Sequence, residues 1–173
     1  MSYEVTIGIP VFRAVDYIEA TMLSALSQTY TSIEILVIDD CGDDGTMAVV
    51  KRLQQEHPRG GCIRIVRNGR NLGVGSSRNR IIDEAKGRFL YFLDSDDVIE
   101  PNTIELLATM MQANHCDVAY ASYERVDNVY YAPTEHYVYP SMVLWQPDAL
   151  AMYAFQHYGT FQTRSEQHTS ELQ

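Results

Sequence analysis

The sequence predicts an α/β fold, a doubly wound and mostly parallel sheet with helices on both faces. Three observations carry this reading. Four short apolar runs rich in β-branched residues stand at Val5–Val11, 33–38, 62–66 and 89–93. The runs are nearly continuous rather than alternating, as in strands covered on both faces. Segments of helical spacing separate them, and regular strand–helix alternation implies right-handed crossovers between parallel strands.

Each element follows in order. After the first run, Ile18, Met22, Ala25 and Leu26 form one helical stripe. The second run ends on Asp39-Asp40 and a turn-forming stretch, Cys41-Gly42-Asp43-Asp44-Gly45-Thr46, which leads into a helix marked by Met47, Val50 and Leu53. The third run leads through a glycine-containing segment to a helix marked by Ile81, Ile82 and Ala85. The fourth ends on Asp94-Ser95-Asp96-Asp97. Pro101 then suits the first position of a helix carrying Ile104, Leu107, Ala108 and Met111. Residues 117–120 read as one more strand and 123–139 as a hairpin, and Pro147 opens a short helix to about residue 155.

Composition narrows the function. Apolar residues make up 46% and charged residues 21%, the profile of a globular protein with a core. A formal net charge of −10 argues against nucleic acid as a partner, because phosphate neutralisation needs clustered Lys and Arg. An anionic ligand is still compatible, since a metal, backbone N–H groups and a few arginines can hold a diphosphate on an acidic protein. The three cysteines are far apart and make no C-x-x-C pair, so neither a zinc site nor a disulfide framework is indicated. No apolar run approaches a membrane span, and no signal-peptide pattern opens the sequence. A cytoplasmic domain is the expectation.

Three segments carry chemistry. Asp94, Asp96 and Asp97 follow a buried strand at its C-terminal end, the edge where open α/β sheets bind ligands. Like charges crowded there call for a cation, and hard oxygen ligands suit Mg²⁺ or Mn²⁺. Capping of the following helix by Asp97 and Glu100 is an alternative use of the same carboxylates. Asp39-Asp40 holds the corresponding place after the second strand, where a carboxylate can accept from a base or ribose. Asp43 and Asp44 read as turn and cap. The segment Asn71-Leu72-Gly73-Val74-Gly75-Ser76-Ser77-Arg78-Asn79 puts glycines and an arginine at a helix N-terminus, which attracts anions. It fails the dinucleotide fingerprint at the last glycine, and no P-loop motif is present. The five histidines show no ligand spacing.

The order of these segments resembles the family 2 glycosyltransferases, which have the GT-A fold and a D-x-D motif. Pro10-Val11-Phe12, Gln28-Thr29-Tyr30, Ile38-Asp39-Asp40, Asn71-Leu72-Gly73 with Ser77-Arg78-Asn79, Ala85-Lys86-Gly87 and Phe92-Leu93-Asp94-Ser95-Asp96-Asp97 carry the resemblance, across residues 5–114. It implies a donor site at Pro10, Phe12, Asp40, Gly73, Arg78, Asn79, Asp94 and Ser95. Phe12 would pack on the nucleobase, usually uracil, with Asp40 in contact with it. Asp94 would lie near ribose and metal. Asp96 would be the principal ligand of Mg²⁺ or Mn²⁺, with Asp94 and Asp97 beside it.

The implied reaction moves a sugar, with inversion, from a nucleotide-diphospho-sugar to a saccharide, lipid-linked or other hydroxyl acceptor. Peripheral association of the full-length protein with the inner membrane face is left open. Arg13 stands where the family commonly has Asn, and Cys41-Gly42 replaces the usual Gly-Ser. The family's later Glu-Asp motif, which supplies the base, has no counterpart after Asp97, and no catalytic residue is assigned. A nucleotidyltransferase would want a Gly-rich basic loop where Pro10-Val11-Phe12-Arg13-Ala14 stands. A donor-binding domain without catalysis is the other alternative.

The final residues, 164–173, lack apolar periodicity and resemble the translation of a common sequencing-library adapter. The expected organisation is therefore a nucleotide-sugar-binding domain over 1–163, incomplete at its C-terminus, and a non-native tail over 164–173.

Overall fold

The computed structural model describes residues 3–115, 117–119, 121–126 and 133–137. The chain divides into two compact units, Met1–Ala119 and Tyr120–Gln173.

The first unit runs β1 (Val5–Val11), α1 (Ile18–Leu26), β2 (Ile33–Asp39), α2 (Thr46–Glu56), a 3-10 turn (Gly60–Cys62), β3 (Ile63–Arg67), α3 (Val74–Glu84), β4 (Phe89–Phe92) and α4 (Thr103–Asn114). The strand order is β3-β2-β1-β4, and all three pairings are parallel. The α/β fold expected from the apolar runs is therefore the fold observed. Its strand order reverses at β1, so the chain ends of β1, β2 and β4 open around a switch point, where such sheets bind ligands.

Alternation along the strands sorts two cores. Ile7, Ile9 and Val11 of β1 and Ile35 and Val37 of β2 join Ile18, Met22 and Leu26 of α1, Val50 of α2 and Ile104 of α4. On the other face, Leu36 and Ile38 of β2 pack with Ile81 of α3. Burying both faces explains why the strand sequences read as continuous apolar runs. Gly8 points at α3, and a Cβ there would overlap the Ile81 side chain. Glycine at this position lets the helix lie close on β1.

Two polar groups organise the layers. Gln28, 1% exposed, donates to the carbonyls of Ser24 and Glu100 and accepts from the Ile104 N–H, tying the end of α1 to the start of α4. Arg59 donates to the carbonyls of Leu26, Gln28 and Tyr30, closing the C-terminus of α1. At the opposite sheet edge from the strand ends, Glu34 is 1% exposed. Its carboxylate accepts from Thr6 Oγ1 (2.8 Å), the Lys86 N–H (2.6 Å) and Arg64 Nε (3.2 Å), so the buried charge is fully partnered.

Two expectations need correction. α4 starts at Thr103 rather than at Pro101, because the Thr103 N–H bonds the Glu100 carbonyl and puts Pro101 in the turn ahead of the helix. Residues 117–119 form no strand. They follow His115, whose φ of 53° ends α4 in a left-handed conformation, and they join neither sheet. In the second unit, β5 (Tyr123–Val126) and β6 (Pro133–Tyr137) pair antiparallel with a register shift between Arg125 and Val126, forming the expected hairpin. The helix expected at 147–155 and the tail 164–173 lie outside the described residues. Among the described residues, no helix is long and apolar enough to cross a membrane.

Candidate functional site

The strand ends and the α3 N-terminus surround a cleft of about 510 Å³. One wall is Pro10, Val11 and Phe12 from β1. Asp40 lies at the end of β2, and Asn71, Gly73, Val74, Ser77 and Arg78 come from the entry to α3. Asp94, Ser95 and Asp96 follow β4 and complete the lining. Of the donor residues implied by the sequence, all but Asn79 line this cleft. Asn79 is exposed one position beyond Arg78, and a helix turns about 100° per residue, which carries it off the cleft face. Asp97 also lies outside the lining.

Asp40 is 2% exposed, and three donors reach its carboxylate. Asn68 Nδ2 (2.7 Å) and the Leu72 N–H (2.9 Å) bond Oδ1, and the Gly73 N–H (2.8 Å) bonds Oδ2. The loop leading into α3 is thus folded around this carboxylate. Gly73 there has φ of 85°, a conformation that favours glycine. Asn68 is itself buried; its Nδ2 also bonds Ser77 Oγ, and its Oδ1 accepts from Arg80. Val11, Asn71, Val74 and Ser77 line the cleft and Asn68 holds Asp40, and motif reading assigned none of them. Asn71 and Ser77 sit inside the quoted pattern, but nothing in the sequence distinguishes cleft-facing positions from their neighbours. Asn68 carries no motif signal at all.

The loop after β1 is laced to the loop after β2. The Ala14 N–H donates to Thr46 Oγ1 (2.9 Å), and the Val15 N–H donates to Asp44 Oδ2 (3.1 Å). Asp44 also accepts from the Thr46 N–H and hydroxyl, and the Thr46 hydroxyl bond leads in holding its carboxyl below the usual carboxylate range. This is the turn use expected of Asp44; the α2 N-cap is Gly45, without a side-chain capping bond. Arg13 and Cys41, the two departures from the family pattern, both have positive φ (50° and 63°). Asn and Gly tolerate this region best, so arginine and cysteine are unusual occupants of these two positions.

On the facing wall, Arg78 Nη2 donates to both oxygens of Asp94, at 2.6 and 2.9 Å. Asp94 opens a tight turn closed by the Asp97 N–H on the Asp94 carbonyl, and Thr21 of α1 pins that turn by donating to the Ser95 carbonyl (3.0 Å). Desolvation, then Asp96 and Asp94, push the Asp97 carboxyl above the usual range, although the residue is exposed, which weakens the first of these causes. The α4 N-cap is Asn102, without a side-chain capping bond, so neither Asp97 nor Glu100 serves as its cap. Among the described residues, no three His, Cys, Asp or Glu side chains converge as a ready-made metal cage.

The comparisons with known proteins agree with this geometry. The family model for glycosyl transferase family 2 matches residues 6–168. The chain is 35% identical over 126 residues to the Escherichia coli UDP-Glc:alpha-D-GlcNAc-diphosphoundecaprenol beta-1,3-glucosyltransferase WfgD, covering 73% of this chain and 48% of WfgD. It is 33% identical over 116 residues to the succinoglycan biosynthesis protein ExoO of Rhizobium meliloti strain 1021, covering 67% of this chain and 32% of ExoO. The chain therefore spans half or less of these relatives. Among solved structures, S. aureus TarS 1–349 in complex with UDP superposes with a TM-score of 0.61 at 26% identity, over 66% of this chain and 33% of that one. The family model covers nearly the whole sequence: the chain belongs to glycosyl transferase family 2.

Proposed function

We propose that this chain forms the donor site of a glycosyltransferase that moves a sugar from a UDP-sugar to an acceptor hydroxyl with inversion. The observation that carries the reading is the cleft itself. A hydrophobic β1 end with Phe12 lies at one wall, a helix N-terminus with Arg78 at another, and the Asp94–Asp96 turn closes it. Phe12, 42% exposed, offers a ring face to a nucleobase, and Asp40 has acceptor capacity beyond its three internal donors. Arg78 and the α3 N-terminus suit a diphosphate. TarS has been solved with UDP and with UDP-GlcNAc, and the name of WfgD specifies UDP-Glc, which supports a uridine donor. The names of WfgD and ExoO point to polysaccharide or lipid-linked saccharide synthesis as the setting.

The aspartate turn fits Mg²⁺ or Mn²⁺. It offers hard oxygen donors, and Arg78 supplies only one positive charge against Asp94, Asp96 and Asp97. Asp96 would be the principal ligand, with Asp94 and Asp97 beside it, the rest of the shell coming from phosphate and water. When bound, the ion would neutralise charge on the departing diphosphate. The chain's own residues fix the donor: Phe12 and Asp40 orient the nucleoside, and Arg78 holds the diphosphate. The acceptor oxygen then attacks the anomeric carbon opposite the diphosphate, whose bond to that carbon breaks.

Attack also needs a base that removes the hydroxyl proton, worth about 10²- to 10⁴-fold. Among the described residues, the only carboxylates that line the cleft are Asp40, Asp94 and Asp96. We infer donor binding by residues 1–163, with the base for transfer supplied from outside them. The test measures UDP binding and acceptor-dependent UDP release on the same sample. Binding without release is the expected result. Release at rates typical of the family would place the base within this chain, and absence of UDP binding would refute the donor site.

A further inference from the structure

Phe12 stands on a tether that motif reading does not reveal. The Arg13 guanidinium carbon lies 5.3 Å from the centroid of the Phe12 ring. The same guanidinium pairs with Asp43 Oδ1, through Nε at 3.1 Å and Nη2 at 3.0 Å, in an exposed ion pair. Phe12 lines the cleft, and Arg13 is not among the lining residues. Its backbone has φ of 50°, a strained conformation for an arginine. A Cβ on Gly42 would sit 2.9 Å from the Arg13 N, so the 41–43 turn runs directly against this backbone. The bonds of Ala14 to Thr46 and of Val15 to Asp44 hold the two loops together independently of the Arg13 side chain. The guanidinium is therefore not required to join the loops. Its distinct contact is the face of Phe12.

We propose that Arg13 is a positioning residue for nucleotide recognition, anchored by Asp43 and acting through the ring of Phe12. Tethered cation and ring form a braced platform, so the ring is ordered before the nucleobase arrives and less side-chain freedom is lost on binding. A cation over an aromatic face at an exposed site is worth about two- to fivefold in an equilibrium, which sets the scale of the effect. The inference rests on the proposed contact of Phe12 with the nucleobase.

UDP in Mg²⁺ buffer is the probe, titrated calorimetrically into the full chain and four variants, with thermal unfolding recorded for each. Arg13→Asn removes the guanidinium and suits the left-handed backbone. It should weaken UDP about two- to fivefold while leaving Tm unchanged or raised. Asp43→Asn leaves the backbone of Arg13 untouched and should give the lower end of that loss, and it carries the test if Arg13→Asn fails to fold. Phe12→Leu should weaken UDP by itself, and Arg13→Asn added to Phe12→Leu should cause no further loss. A purely structural role for Arg13 would lower Tm and affect both backgrounds equally. Equal losses with and without the ring overturn the proposal, as does wild-type affinity in Arg13→Asn alongside a weakened Phe12→Leu. Wild-type affinity in Phe12→Leu refutes the Phe12 contact itself, and the inference falls with it.

Discussion

A single guanidinium nitrogen of Arg78 contacts both carboxylate oxygens of Asp94 across the cleft, at 2.6 and 2.9 Å. Without a ligand, the cation best placed to meet a diphosphate is engaged by a carboxylate. Both side chains are about two-fifths exposed, so the pair is held weakly enough to be exchanged. A divalent ion at the aspartate turn and a diphosphate at Arg78 would separate the two partners by giving each a better one.

This exchange predicts opposite effects from one substitution. Arg78→Gln should raise the affinity for Mn²⁺ alone, by removing a competing cation, and should lower UDP affinity about tenfold, the scale of one charge-assisted bond. In the wild-type chain UDP should bind more tightly with Mn²⁺ than with EDTA, and Asp96→Ala should erase that difference without lowering Tm. Calorimetry that finds UDP affinity indifferent to Mn²⁺ would remove Asp94, Asp96 and Asp97 as metal ligands.

Asp97 supplies a pH signature of the same crowding. Its folded pKa is raised by burial, Asp96 and Asp94, so between the unfolded value and the raised one the folded chain binds more protons. Stability must then fall as pH rises through that window. Asp97→Asn should stabilise the ligand-free protein at pH 7 by less than about 1 kcal/mol, given its solvent contact. The gain should vanish below about pH 4, where both states are protonated. Unfolding midpoints across pH in EDTA decide this, and a destabilised variant at pH 7 would contradict it.

The strands were legible because burial on both faces leaves an apolar run with few polar interruptions, and those interruptions are themselves informative. Glu34 inside β2 is a buried charge with three partners. Asp40, Gly73, Arg78 and the Asp94–Asp96 turn were legible because each falls at a strand end or helix start, the places where an α/β sheet gathers its chemistry. What stayed hidden depends on contacts between distant residues. Asn68 acquires its place only when Asp40, Ser77 and Arg80 meet around it. Asn79 lies off the cleft lining, because adjacency in a motif says nothing of the roughly 100° turn between neighbours on a helix. Asp97 and Glu100 have the composition of a cap, but the turn through Pro101 moves the helix start beyond them.

Two glycines should respond to alanine with opposite signs. Gly8→Ala drives a methyl into Ile81, which is fully buried between α3 and the sheet, and should cost about 1–3 kcal/mol. Gly75, in the first turn of α3, has open space where a Cβ would go and lacks positive φ. Gly75→Ala should therefore stabilise by about 0.5–1 kcal/mol. Chemical denaturation of both variants tests the pair, and a tolerated Gly8→Ala would show that α3 does not pack on β1 as closely as described.

Asp40 has two functions that one substitution separates. Its carboxylate organises the 71–73 loop and, in the donor-site proposal, also accepts from a uracil imide. Asn at this position keeps one acceptor oxygen and turns an amide toward the other donor. With its oxygen on Asn68 and the Leu72 N–H, the amide faces the Gly73 N–H, which retains a second acceptor in Asn71 Oδ1 at 3.0 Å. The stability loss should therefore be moderate, about 1–2 kcal/mol, whereas Asp40→Ala strands all three donors and should cost more. For binding, wild-type protein should prefer UDP over GDP and ADP in a displacement assay, and Asp40→Asn should blunt that preference at temperatures where the variant is folded. The distinction lies in comparing the two measurements. A lowered Tm with the UDP preference intact would mean that Asp40 only shapes the loop, leaving Phe12 and Asn71 as the next residues to test for base selection. Equal binding of all three diphosphates by the wild-type chain would mean that the cleft reads phosphate alone.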